Sequence, residues 1–231
     1  EICACLVGSE MCIRDRPTAD STYIPMELKI TRGTIRTNPV PYYGMVDKNI
    51  GYIAISTFAI EGCSKDIKKA LIELKQQGAT SIVLDLRGNG GGLLSEAVNV
   101  VNFFVPKGKE IVVTKGKIKQ AGSTYKTSNE PIDMEIPLTV LVDGATASAA
   151  EIVSGSLQDL DRAVIVGNRT YGKGLVQVPR ELPYNSSMKV TTAKYYIPSG
   201  RCIQAIDYAK RNADGSVARI PDSLTTVFHT A

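Results

Sequence analysis

Twice in this chain a short run of branched apolar residues stops at a glycine-rich or small-residue turn and gives way to a helical pattern. No other feature of the sequence restricts the fold as much. In the first instance SIVLDL (81–86) leads into RGNGGG (87–92), and a helix is expected from Leu94 to Val105, halted by Pro106. In the second, LTVLVD (138–143) passes through GATAS (144–148) into AAEIVSGSLQDL, where Ile152, Val153, Leu157 and Leu160 recur at helical spacing. Short apolar runs without alternation are those of strands covered on both faces in a parallel sheet. Parallel neighbours need a crossover, and a helix is the usual one. GYIAISTF (51–58) supplies an earlier strand, and Ser64 is expected to cap a helix with Ile67, Ala70, Leu71 and Leu74 on one face and Gly78 as its stop. AVIVG (163–167) reads as a further core strand. The fold class expected is α/β.

The flanking segments are less regular. ELKITRGTI (27–35) alternates as a strand does, and NPVPYYG after it reads as a connection, so a linker is expected at 37–46. IVVTKGK (111–117) reads as a strand, 118–134 as a polar excursion, and the remainder after AVIVG to about 198, with MKVTTAKYYI alternating, as β-rich. The first 16 residues, EICACLVGSEMCIRDR, show neither helical nor strand periodicity, and their second half resembles a translated sequencing adapter. They are read as non-native sequence, with an irregular native tail as the alternative. Setting them aside removes Cys3, Cys5 and Cys12, so no metal site is expected, and Cys63 and Cys202 stand as two thiols or one disulfide. No cofactor is indicated.

Charge and hydropathy exclude some function classes. The net charge of +4 over 231 residues is spread without Lys/Arg blocks or interleaved aromatics, so nucleic acid is not an expected partner. No apolar run reaches the 18 or more residues of a membrane span. The chain begins without Met and stops at VFHTA, which reads as a fragment whose native form extends beyond both ends.

GNRTYGKG (167–174) is one residue short of a phosphate-binding loop, because Gly174 stands where Ser or Thr would hold magnesium. The next segment, LVQVPRELP, has strand alternation and two prolines, so no helix N-terminus opens there to face a phosphate. RGNGGG likewise misses the dinucleotide pattern, since Leu93 and Ser95 stand where the last glycine belongs. Lys173 therefore needs another role. Ser148 lies where the chain leaves a buried strand and opens a helix, a place that presents a hydroxyl above a helix N-terminus. Ser148-x-x-Glu151 equally fits a capping box. A nucleophilic serine needs a base, and the single histidine, His229, is two residues from the end. A neutral lysine can serve instead.

The combination DLRGNGGG, GATASAAEIVSGSLQD and RAVIVGNRTYGKGLVQ resembles the carboxy-terminal processing peptidases, or tail-specific serine proteases, over residues 27 to about 205. The resemblance implies a crotonase/ClpP-like serine protease core at 47–205, with mixed sheets and flanking helices. It implies a remnant of a PDZ domain at 17–36, ending in the strand ELKITRGTI, and a truncated C-terminal segment at 206–231. It implies Ser148 as nucleophile, Lys173 as base, and Gln177 as the group that holds the lysine. It also implies polypeptide substrates, a bacterial envelope or periplasmic location, and a homo-oligomer or adaptor for the full-length enzyme. The oxyanion donors expected are the N–H of Ala149, one past the nucleophile, and that of Gly91 or Gly92. Burial by the strand 163–167 is expected to favour the uncharged lysine. Fully extended, residues 173 and 177 would lie roughly 13 Å apart, so a bend at Gly174 is expected. Two other readings stand beside this one: a catalytically impaired peptide-binding module of the same fold, and a crotonase-like acyl-CoA enzyme.

Overall fold

The computed structural model describes residues 10–17, 23–30, 37–117 and 122–219. The chain divides into two compact units, Glu1–Thr37 and Asn38–Ala231. In the first, β1 (Glu10–Pro17) pairs antiparallel with β2 (Tyr23–Ile30), from Glu10 opposite Ile30 to Pro17 opposite Tyr23. The aperiodic stretch at the N-terminus thus contains a strand. Antiparallel pairing draws on backbone groups that every residue but proline carries in full, so it needs no side-chain alternation. The end of the strand expected at 27–35 falls outside the described residues.

The second unit is built on a five-stranded sheet of order β3-β4-β5-β8-β9. Its strands are β3 (Tyr42–Asp47), β4 (Ile50–Ala54), β5 (Ser81–Asp85), β8 (Leu138–Val142) and β9 (Val164–Gly167). β3 is antiparallel to β4, and the other four are mutually parallel. β3 occupies the second half of the expected linker, because Tyr42 to Met45 pair with β4 through a tight turn at Lys48 and Asn49. The connection is confined to the residues before it.

Three helices make the crossovers: α1 (Cys63–Gln76), α2 (Leu94–Asn102) and α3 (Ala149–Asp159). Ile53, Ile82, Leu84 and Val140 of the strands form one core with Ile67, Leu71 and Leu74 of α1, Val100 and Val101 of α2, and Ile152, Val153 and Leu157 of α3. Successive strand side chains alternate sides, and in β5 Ser81 and Val83 are only half-buried. The apolar runs therefore bury one face completely, where the sequence suggested both. β9 departs further: it is an edge strand, with Val164 63% and Val166 48% exposed, and is not the core strand expected of AVIVG.

The start of α1 also differs from expectation. Gly62, at φ 83°, is the N-cap, and Ser64 lies buried inside the first turn. The cap comes from α2, whose buried Glu96 accepts the N–H groups of Gly62 (2.9 Å) and Ser64 (2.8 Å). A carboxylate there satisfies two of the N–H groups that a helix cannot pair internally. Helix α1 stops at Gly78, φ 97°, as its sequence indicated. Helix α2 ends at Asn102, with Phe103 as its C-cap, short of Val105.

A second, wholly antiparallel sheet has the order β10-β11-β6-β7, with β6 at Glu110–Lys115, β7 at Ser123–Lys126, β10 at Leu175–Leu182 and β11 at Ser186–Tyr196. β7 lies within the expected polar excursion, and all four of its residues are exposed. The hairpin between β10 and β11 turns through Tyr184 and Asn185, both at positive φ. β12 (Ile206–Arg211) and β13 (Val217–Arg219) close the described chain as a small hairpin. No helix among the described residues is long and apolar enough to cross a membrane. Cys63 and Cys202 are both free thiols. Burial, with the Glu96 carboxylate beside it, pushes the Cys63 thiol up to about 12.

Candidate active site

β5 and β8 are parallel neighbours, so the turns leaving their carboxyl ends lie side by side. These turns are the two glycine-rich or small-residue segments of the sequence. They are tied together by backbone-directed bonds: Gly88 N–H donates to the Asp143 carboxylate (3.0 and 3.1 Å), Thr146 Oγ1 to Leu86 O (2.8 Å), and Ala147 N–H to Asn89 O (2.9 Å). The bond from Gly88, with others from Ala145 and Thr146, holds the Asp143 carboxyl below the usual carboxylate range. Asp85, at the end of β5, accepts a bidentate bond from Arg87 and a 2.5 Å bond from Tyr52 Oη.

Ser148 ends the second turn at φ 57° and ψ −117°. A non-glycine residue at positive φ is uncommon, and here it sits at a junction from strand to helix, as nucleophilic serines do. Its side chain is neither fully buried nor fully exposed. Ala149 opens α3, so its N–H is one that no helical carbonyl accepts. Gly91 presses against this corner. A Cβ built on Gly91 would lie 2.6 Å from Ala147 O, 2.8 Å from Ala149 N and 2.8 Å from Ser148 Cβ, and the residue has φ 92°. Only glycine fits on both counts.

The two glycines expected as oxyanion donors differ. Gly91 N–H is taken by Asn89 Oδ1 at 2.9 Å. Gly92 is exposed, and its N–H meets no acceptor among the described residues. Its own α-carbon faces Phe58, where a Cβ would come within 2.1 Å of Phe58 C and Ala59 N.

Lys173 reaches this corner through its backbone. Glu151, 3% exposed, accepts Ser148 N–H (2.7 Å) and Lys173 N–H (2.8 Å) on Oε2, and Gly172 N–H (2.6 Å) and Thr170 Oγ1 (2.8 Å) on Oε1. One buried carboxylate therefore joins the serine turn to the lysine segment. The sequence showed only its capping role, because Thr170 to Lys173 arrive from beyond β9. The Lys173 side chain is exposed, so the strand before it does not supply the burial expected, and no hydrogen bond joins its Nζ to Ser148 among the described residues. Gln177 is exposed on β10 and donates to Thr191 Oγ1 at 3.4 Å. Gly174 N–H donates to Gln204 Oε1 (2.8 Å) and its carbonyl accepts Tyr195 N–H (2.9 Å), and the chain runs from it directly into β10. Lys173 and Gln177 are accordingly not hydrogen-bonded to each other here. The start of a strand after Gly174 also leaves no helix end for a phosphate. Among the described residues, no three His, Cys, Asp or Glu side chains gather as a metal site.

The family model described as Peptidase family S41 matches residues 49–209, which span both turns, Glu151 and Lys173. The chain belongs to peptidase family S41. The carboxy-terminal-processing protease of Bartonella bacilliformis is 39% identical over 188 residues, covering 79% of this chain and 42% of that protein. The carboxyl-terminal-processing protease of a Picosynechococcus species is 41% identical over 174 residues, 74% of this chain and 41% of that protein. The chain thus spans less than half the length of these curated relatives. Among solved structures, a photosystem II D1 C-terminal processing protease superposes with a TM-score of 0.65 at 32% identity, over 85% of this chain and 53% of that one. The fold is the mixed α/β serine-protease core that the sequence pointed to, and S41 membership removes the acyl-CoA reading.

Proposed function

We propose that this chain carries the catalytic core of a serine endopeptidase that cleaves polypeptides near their C-termini, with Ser148 as nucleophile and Lys173 as general base. The observation that carries the reading is the Ser148 corner: a serine at positive φ, opening a helix, with Gly91 against it and Glu151 joining it to Lys173. In the reaction, neutral Lys173 removes the Ser148 hydroxyl proton as Oγ attacks the scissile carbonyl. The oxyanion accepts from Ala149 N–H and from a glycine-loop amide. The protonated lysine then gives its proton to the leaving amine, and water hydrolyses the acyl-enzyme by the same route in reverse.

Since Lys173 is exposed in the free chain, we assign its desolvation to the bound substrate, whose backbone displaces water from the Ser148 corner. Engagement by Gln177 requires its side chain to leave Thr191. We carry over from the resemblance a PDZ remnant at 17–36, an envelope location and an oligomer or adaptor for the longer enzyme. A second reading, that the isolated chain binds peptides without cutting them, is favoured by the absence of a Ser148–Lys173 hydrogen bond among the described residues. One experiment separates the two. Cleavage of an unfolded protein should be abolished by Ser148→Ala and by Lys173→Ala. Full activity in Lys173→Arg would refute the base assignment, because arginine does not release its proton in this range. A wild-type chain that binds the substrate and leaves it intact establishes the second reading.

A further inference from the structure

Asn89 is the one fully buried polar side chain of the glycine loop, 0% exposed, and both ends of its carboxamide are used. Nδ2 donates to Ile55 O at 2.8 Å, just beyond β4, and Oδ1 accepts Gly91 N–H at 2.9 Å. Its backbone carbonyl accepts Ala147 N–H, one residue before Ser148, at 2.9 Å, and its own N–H donates to Leu86 O at 3.1 Å. One residue thus joins the end of a core strand, the glycine loop and the serine turn.

The consequence lies one peptide further on. Gly91 is held at its N–H by Asn89 and at its carbonyl by Phe58 N–H, at 3.0 Å. The Gly91–Gly92 peptide is trans, so Gly92 N–H points opposite to the Gly91 carbonyl, away from Phe58. Asn89 occupies the amide of Gly91, and by fixing Gly91 it directs that of Gly92 outward from a residue seated on Ser148 and Ala149.

We propose that Asn89 is a positioning residue of the oxyanion site, which withdraws Gly91 N–H and sets Gly92 N–H as the donor paired with Ala149 N–H. This rests on the peptidase reading above. Without the carboxamide, Gly91 N–H and Ile55 O lose their partners, and the Gly91–Gly92 peptide is held only at its carbonyl, by Phe58 N–H and Thr57 Oγ1, so its amide is less firmly aimed.

The test uses the full chain and counts active sites by end-point labelling of Ser148 with a fluorophosphonate, so that misfolded protein does not enter the rates. Asn89→Ala is expected to lower kcat per labelled site by about 10²–10³, the range for loss of one oxyanion donor, with little change in KM. Inhibition by a peptide aldehyde, whose hemiacetal oxygen occupies the same site, should weaken by a similar factor. Binding of an uncleaved peptide to the Ser148→Ala chain should be unaffected when Asn89→Ala is added. Asn89→Asp, which keeps an acceptor for Gly91 N–H, should recover part of the lost kcat. An unchanged kcat per labelled site in Asn89→Ala, or an equal loss of aldehyde and peptide binding, would overturn the inference alone. A wild-type chain with no Ser148-dependent cleavage would overturn the peptidase reading and the inference with it.

Discussion

The glycine loop offers a graded test, because its four glycines sit in different surroundings. Gly90 has an ordinary φ, and nothing lies within 4 Å of a Cβ built on it. Gly88 has the same open space but φ 73°, and Gly91 combines φ 92° with three backbone or Cβ atoms at 2.6–2.8 Å. Gly90→Ala should therefore be neutral or stabilising by up to about 1 kcal/mol, through the reduced entropy of the unfolded chain. Gly88→Ala should lose roughly 1 kcal/mol to the left-handed backbone. In Gly91→Ala the same strain adds to overpacking of about 1–3 kcal/mol, and the atoms that must give way are backbone. The total is roughly 2–4 kcal/mol. Urea denaturation reads these differences directly, and kcat on an unfolded protein reads their effect on the site. For Gly91→Ala, relief of the clash moves Ser148 and Ala149 away from the loop, so kcat should fall about 100-fold or more even where the protein remains folded. Equal stability and activity across Gly88→Ala, Gly90→Ala and Gly91→Ala would refute the seating of Gly91 on the serine turn.

Glu151→Gln should be costly although it is nearly isosteric: the new amide group faces two donors that the carboxylate accepted, at about 1–3 kcal/mol for each left unsatisfied. A urea midpoint and a kcat both equal to wild type would refute the link between Ser148 and Lys173. Asp143, with its carboxyl depressed chiefly by the Gly88 N–H, stabilises the loop above the ordinary aspartate range near pH ~3.9 and loses that contribution as pH falls through the depressed value. The urea midpoint should therefore fall more steeply below about pH 4 in the wild-type chain than in Asp143→Asn, and parallel acid limbs would count against the bond to Gly88.

Much of the fold was legible because its signals are local. Helices α1 and α3 and strands β5 and β8 fall where apolar spacing and glycine placed them, β4 covers only the first half of GYIAISTF, and the two turns lie adjacent because β5 and β8 are parallel neighbours. The errors share a cause. AVIVG has the composition of a core strand, yet its position at the sheet edge leaves Val164 and Val166 exposed, and edge position depends on strand order. The same holds for Lys173, whose burial was inferred from that strand. Ser64 has the right chemistry for a cap, but Glu96, 34 residues beyond Gly62, makes the bond.

The site divides along the same line. Ser148 was identifiable because its corner is made by neighbours in sequence, while the residues that hold that corner in place act across long separations. Glu151 spans 19 to 22 residues to Thr170, Gly172 and Lys173, and Asn89 Nδ2 spans 34 to Ile55. Neither has a local pattern that distinguishes it from a helix cap or a turn asparagine. Burial does distinguish them. An acid that is 3% exposed and an amide that is 0% exposed are tolerable only with their hydrogen bonds made, and each bond made there ties one segment of the site to another. Fixing the serine corner through buried side chains leaves Lys173 and Gln177 exposed at the start of β10. Under the mechanism we propose, the nucleophile and oxyanion half of the site is carried by residues 88–151 and held by Ile55 and Phe58, and the half that carries the proton is completed only when substrate covers it.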